Sequence, residues 1–212
     1  MILMPNYIVL GIDLAGSEKR NTGICILDSQ LNAVTLILHT DSEILSLAEK
    51  VKPDLVAVDA PLTLPYGRKT LDRKENIHFR QCDKKLLELG IKFFPITLGP
   101  MRTLTRRGIA LKQKLEKLGF KVIEVYPGGA QDLLGIPRKS KGLKKLRDGL
   151  IRLGIKGLKE KMSGDELDAV TAAYVGLLFL EGKALLLNGK DGCIVMPKPR
   201  TIQNTTTNKH SS

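Results

Sequence analysis

Residues 7–27 read YIVLGIDLAGSEKRNTGICIL, and this stretch decides the fold. An apolar run rises to a single acid, Asp13, a loop of small and basic residues follows, and Gly23 returns the chain to a second apolar run. A tight hairpin needs only turn residues at its bend, whereas Leu14, Ala15 and Gly16 follow this acid. Asp13 can be read simply as a turn-initiating residue. The sharper reading places it at a strand end to hold a metal, with partners supplied by other strand ends.

Working outward, residues 7–13, 21–28 and 33–39 are β-rich runs joined by short turn-like connections, which predicts a three-strand antiparallel meander. DSEILSLAEKV follows as a short amphipathic helix with Asp41 or Ser42 as its cap, and PDLVAVDAP is a strand running to Asp59. Strand, helix and strand in succession make the crossover of a parallel sheet. Residues 61–104 break that rhythm with Pro61, Pro65, Pro95 and Pro100, a basic stretch and one short helix near residues 83–89. They read as an insertion over one end of the sheet. LTRRGIALKQKLEKLG is a helix, KVIEVYP a strand, GAQDLLGIPRK a short helical piece and KKLRDGLIRLGI an amphipathic helix. SGDELDAVTAAYVGLLFLEG is the strongest helix, capped by Ser163 and closed by Gly182, and GCIVMPK is a last short strand. Residues 1–200 thus form one domain, and the polar tail 201–212 reads as disordered.

Composition narrows the class. The chain has 212 residues, enough for one real core, with 42% hydrophobic residues but only 4% aromatic and no Trp, so that core is mostly aliphatic. The net charge of +12 and a pI near 9.7 favour polyanionic partners, nucleic acid before an anionic membrane, with a lysine-rich solvated surface as the plain alternative. Three widely spaced cysteines, Cys25, Cys82 and Cys193, suggest neither a zinc site nor a disulfide framework and fit a reducing cytoplasm. The N-terminus lacks a basic start and meets Asp13 too early for a signal peptide. The apolar stretch from Ala169 onward is interrupted by Glu181 and Lys183 and reads as a buried helix, not a membrane span.

Three apolar strands finish on or near an acid: Asp13, Asp59 and Glu124. The last helix opens with Asp165, Glu166 and Asp168, of which Asp165 and Asp168 share a face and Glu166 points elsewhere. Acids on neighbouring strand ends come within about 5 Å. Gathered like charges raise one another's pKa and oppose folding unless a cation sits among them. Oxygen ligands without His or Cys favour Mg²⁺ or Mn²⁺ over zinc, and two such ions can serve an in-line phosphoryl displacement. Each acid also has an ordinary reading: Asp59 as a strand-end cap, Glu124 in a salt bridge, Asp165 and Glu166 as first-turn acids satisfying the helix dipole.

The pieces GIDLAG, VAVDAPL, RQCDKKL, TLTRRG, VIEVYPGGAQDLLGIP and DELDAVTAAYVG together resemble the RNase H-like superfamily. In particular they resemble a family named domain of unknown function 429, whose members are described as predicted nucleases. The resemblance spans most of residues 7–197. It implies an α/β, RNase H-like fold: a five-stranded mixed sheet of order 3-2-1-4-5, its first three strands an antiparallel meander, with flanking helices and the insertion after strand 4. It also implies a site of Asp13, Asp59 and Asp168, with Glu124 as a further matching acid and Asp165 similar to an additional helix acid of Holliday-junction resolvases.

Arg102, Arg106 and Arg107 stand at the start of a helix, where they oppose its dipole, and so read as a phosphate clamp. Tyr126 reads as a base-stacking ring or, more commonly, a core tyrosine. The expected activity is hydrolysis of nucleic-acid phosphodiesters with Mg²⁺ or Mn²⁺ held by Asp13, Asp59 and Asp168, Asp165 joining the ligand set and Glu124 a ligand or water positioner. Two competitors stand beside it. One is an actin- or sugar-kinase-type ATPase, since GIDLAGSEKRNTG is similar to a first phosphate loop, although no second Gly-rich phosphate loop follows. The other is a non-catalytic nucleic-acid-binding protein. DNA or RNA, strandedness, endo- or exonuclease action and oligomeric state, a dimer included, are left open.

Overall fold

The computed structural model describes residues 6–73 and 75–199, so the expected tail lies outside the described residues. Strands β1 (Ile8–Asp13), β2 (Thr22–Asp28) and β3 (Ala33–Leu38) form the expected meander. Helix α1 (Asp41–Val51) crosses over to β4 (Leu55–Asp59), which pairs parallel to β1. The cap of α1 is Thr40 rather than Asp41 or Ser42, because Glu43 three residues on completes a capping box with it. Helices α2 (Gln81–Glu88) and α3 (Gly99–Lys117) precede β5 (Val122–Val125), which lies parallel to β4. Helix α3 begins inside the expected insertion, since Pro100 falls in its first turn, where proline is tolerated.

Helix α4 (Pro127–Leu133), a 3-10 turn at Lys139–Lys141, α5 (Leu143–Arg152) and α6 (Gly164–Leu180) follow. A hairpin of β6 (Ala184–Gly189) and β7 (Gly192–Pro197) closes the described chain. The sheet order is β3-β2-β1-β4-β5-β7-β6, so the expected order 3-2-1-4-5 is present and two strands extend it to seven. The extra strand, β6, comes from the apolar run after Gly182. A short run of that kind reads equally well as strand or buried helix.

Strand alternation gives the sheet two cores. Val9, Ala57, Ile123 and Val125 face α6, while Leu10, Ile12, Val56 and Val58 face Ile44 and Ala48 of α1 and Leu111 and Leu115 of α3. Helix α6 lies across β1, β2 and β4. It comes that close because the strands present glycine: a Cβ on Gly11 would stand 2.2 Å from the Ala169 carbonyl oxygen, and one on Gly23 2.0 Å from that of Asp165. No described helix is long and apolar enough to cross a membrane.

Candidate functional site

Parallel pairing of β1 with β4 sets Asp13 directly opposite Asp59, and the β1–α6 contact through Gly11 brings Asp168 to the same end of the sheet. Between the acids stands a residue from the 3-10 turn. The Lys139 ammonium lies 2.7 Å from Asp168 Oδ2, 3.6 Å from Asp13 Oδ2 and 3.9 Å from Asp165 Oδ1. Gln131 of α4, fully buried, donates from Nε2 to Asp168 Oδ1 at 2.7 Å and to Thr171 Oγ1 at 3.1 Å, fixing the Asp168 rotamer.

The electrostatics follow from this crowding. Burial, with the charges of Asp168 and Asp165 adding to it against the pull of Lys139, raises the Asp13 carboxyl to about 7. Asp59 is also pushed well up, by burial first and then by Asp13 and Asp168. Burial works against the Lys139 charge, but Asp13 and Asp168 outweigh it and hold the ammonium protonated.

Two depressions meet at Lys139. One, of about 460 Å³, is bordered by Asp59 and Asp168, and the other, of about 400 Å³, by Asp13 and Asp165. Among the described residues no three His, Cys, Asp or Glu side chains form a group that could hold a metal ion by themselves. Asp59 and Asp168 border one depression and Asp13 and Asp165 the other, with Lys139 lining both. That donor set suits Mg²⁺ or Mn²⁺, hard ions commonly held by one or two carboxylates and completed by water and substrate phosphate. Asp13 Oδ2 is buried without a hydrogen-bond partner, an acceptor with capacity for a further cation.

Glu124 borders the same depression as Asp59 and Asp168 and adds to the upward push on Asp59, but its carboxylate is committed elsewhere. Its register partner on β4 is Val58, one step short of Asp59, so its side chain leaves the opposite face of the sheet. There Arg80 holds both carboxylate oxygens, at 2.5 and 2.6 Å, and the Leu62 N–H donates to Oε2 at 2.8 Å. Arg80 also pairs with Asp83, and these carboxylates keep it charged in spite of its burial. Glu166 completes the α6 capping box with Ser163 and accepts from Thr35, as its expected direction away from the cluster implies.

The arginine clamp is likewise redistributed. Arg107 is buried and spends its guanidinium on Asp41, the Ala15 carbonyl and the His39 carbonyl, pinning the loop after β1 to the start of α1. Arg106 pairs with Asp72, and Arg102 donates to the Thr97 carbonyl. None of the three lines either depression; the arginines that do are Arg20, Arg80 and Arg138. Sequence reading passed over Lys139, Gln131 and Arg80. Lys139 stands in the basic stretch before the amphipathic helix α5, and nothing local marks it as facing carboxylates.

A meander joined by a parallel crossover, with paired carboxylates at the ends of β1 and β4 and a third acid on the helix across them, is the arrangement expected of an RNase H-like fold. The family model described as protein of unknown function (DUF429) matches residues 11–192, and the chain belongs to that family. No curated protein matches it in sequence. Among solved structures it is similar to Thermus thermophilus RuvC in complex with a Holliday junction substrate, with 14% identity over 82% of this chain and 96% of that one and a TM-score of 0.45. It is similar also to a second Thermus thermophilus RuvC structure, with 15% identity, the same shares and the same TM-score.

Proposed function

We propose that the chain is a nuclease dependent on Mg²⁺ or Mn²⁺ that hydrolyses phosphodiester bonds at Asp13, Asp59 and Asp168. The observation that carries this reading is the in-register pair Asp13 and Asp59 facing Asp168 at one end of the sheet, partly buried and offset by a single ammonium. Asp59 with Asp168, and Asp13 with Asp165, would hold the ions. When bound, they supply positive charge that activates water and stabilises the leaving oxygen of a phosphodiester.

The chain's own residues do the rest. Gln131 orients Asp168 through its amide N–H, and the Lys139 ammonium is placed to meet a phosphate oxygen as well as the acids. Arg80 withdraws Glu124 into a separate ion pair that braces the wall of the site. The strong basic balance favours approach of a phosphate backbone.

The test is cleavage of labelled single-stranded, duplex, hybrid and four-way-junction substrates with and without Mn²⁺ or Mg²⁺. The expected result is metal-dependent product that falls at least about a hundredfold in Asp59→Asn, in line with loss of a group acting directly on the transition state. Tight binding without product would support the non-catalytic binding protein, and turnover of ATP instead would support the phosphotransferase reading.

A further inference from the structure

The carboxylates need only an open trough to meet a phosphate, yet the depression beside Asp59 and Asp168 runs on into an apolar chamber. Its volume of about 460 Å³ lies in the range typical of small-molecule sites. Residues of the segment between β4 and β5 supply one wall: Phe93, Phe94, Met101 and Leu104. Tyr126 lines it too, with its hydroxyl anchored on the Lys92 carbonyl and the Arg138 guanidinium 5.8 Å from its ring centroid. The aromatic side chains are scarce in this chain, at 4% of residues, and three of them gather here. Phe94 remains 72% exposed.

Gln131 of α4 lines the same chamber. Gln131 is fully buried, and its Nε2 is committed to Asp168 and Thr171. That fixes which end of the amide carries hydrogens, because a carboxylate oxygen accepts. The other end, Oε1, is buried with no hydrogen-bond partner. An orphaned acceptor costs stability unless a donor arrives. Flat apolar rings, a guanidinium and an unpaired amide acceptor next to a phosphodiester centre match the chemistry of a nucleobase, which offers a π-face and N–H donors together.

We propose that this chamber receives one unstacked nucleobase, so that the substrate presents an unpaired nucleotide to the carboxylates rather than the paired interior of a duplex. The proposal rests on the nuclease reading for what happens at the phosphate, while the base site has its own observations. A free nucleotide carries the same chemistry as a nucleotide of a strand, and the test separates the two sources.

The experiment titrates the full chain into a single strand carrying 2-aminopurine, into the same strand paired in a duplex, and into 2-aminopurine nucleoside monophosphate, reading fluorescence, in Mg²⁺. Wild type, Phe94→Ala and Met101→Trp are compared. Phe94 is exposed, so its loss spares the fold, and Met101→Trp fills the chamber without removing an aromatic contact. The expected result is a fluorescence change with the unpaired strand, binding about tenfold weaker in Phe94→Ala, binding lost in Met101→Trp, and a duplex bound at least tenfold more weakly than the strand. Mononucleotide bound as tightly as the strand would assign the chamber to free nucleotides and still support a base site. Equal binding by all three proteins, or of duplex and strand alike, would overturn it. Cleavage is followed in the same samples. Metal-dependent product with pocket-independent binding overturns the base site and leaves the nuclease standing. Pocket-dependent binding without product does the reverse.

Discussion

At the residue scale, Asp13 carries an electrostatic cost that a bound cation would relieve. Its carboxyl titrates near 3.9 in an unfolded chain and is raised to about 7 in the fold by burial and by Asp168 and Asp165. Between those values the folded chain holds a proton that the unfolded chain has released, so raising the pH favours unfolding. Metal-free protein is therefore expected to be most stable toward pH 4 and to lose stability as the pH rises to about 7. The loss reaches about 4 kcal/mol at most, from about 1.4 kcal/mol per unit. Asp59, shifted the same way, adds to it. Urea midpoints across that window with EDTA would measure the slope, which Asp13→Asn or added Mn²⁺ should flatten. A midpoint that rises with pH would contradict this electrostatic picture. Asp13 and Asp59 were legible because each ends a short apolar strand. Glu124 looked the same, yet a one-residue step in register turned its side chain to the other face and into the hands of Arg80. Register between strands far apart in sequence is fixed by packing, and no local pattern prints it.

At the scale of elements, the position of α6 sets the site. Gly23 in β2 lets the first turn of α6 lie against the sheet, and a Cβ there would meet the Asp165 carbonyl oxygen and the Glu166 nitrogen, which belong to backbone and cannot rotate away. Gly23→Ala is expected to cost about 1–3 kcal/mol by overpacking and to displace Asp165 and Asp168, so cleavage should fall more than stability. Gly99→Ala, with open space around it, is the control and should stay within about 0.5 kcal/mol. Thermal unfolding beside initial cleavage rates separates the two effects. The helix itself was readable from its cap and its apolar body, as were the meander and the crossover. Strand β6 was not, since its four apolar residues continue the hydrophobic run of α6 across a single turn. Lys139 was not readable either, because the 3-10 turn that carries it is placed by its packing against α5 and α6 and not by its own sequence.

The whole molecule carries a charge of +12, and that field acts over the length of a nucleic acid rather than at one residue. Binding should therefore weaken steeply with salt. Contact with as few as two phosphates costs about tenfold in affinity between 50 and 200 mM salt. Fluorescence anisotropy of a labelled strand would show it, and a flat salt profile would remove the electrostatic part of the account. Charge was legible from composition alone, but its arrangement was not. Arg102, Arg106 and Arg107 turn to Thr97, Asp72 and Asp41, while Arg138 and Lys139 border the acids.

The proposed chemistry requires the carboxylates of Asp13, Asp59 and Asp168 to bind divalent cations. Mn²⁺ titration of the metal-free protein, followed by electron paramagnetic resonance, measures that binding without reference to any substrate. Bound Mn²⁺ in the wild type, weakened at least tenfold by Asp59→Asn, is the predicted result; no binding, or equal binding by both proteins, would contradict it.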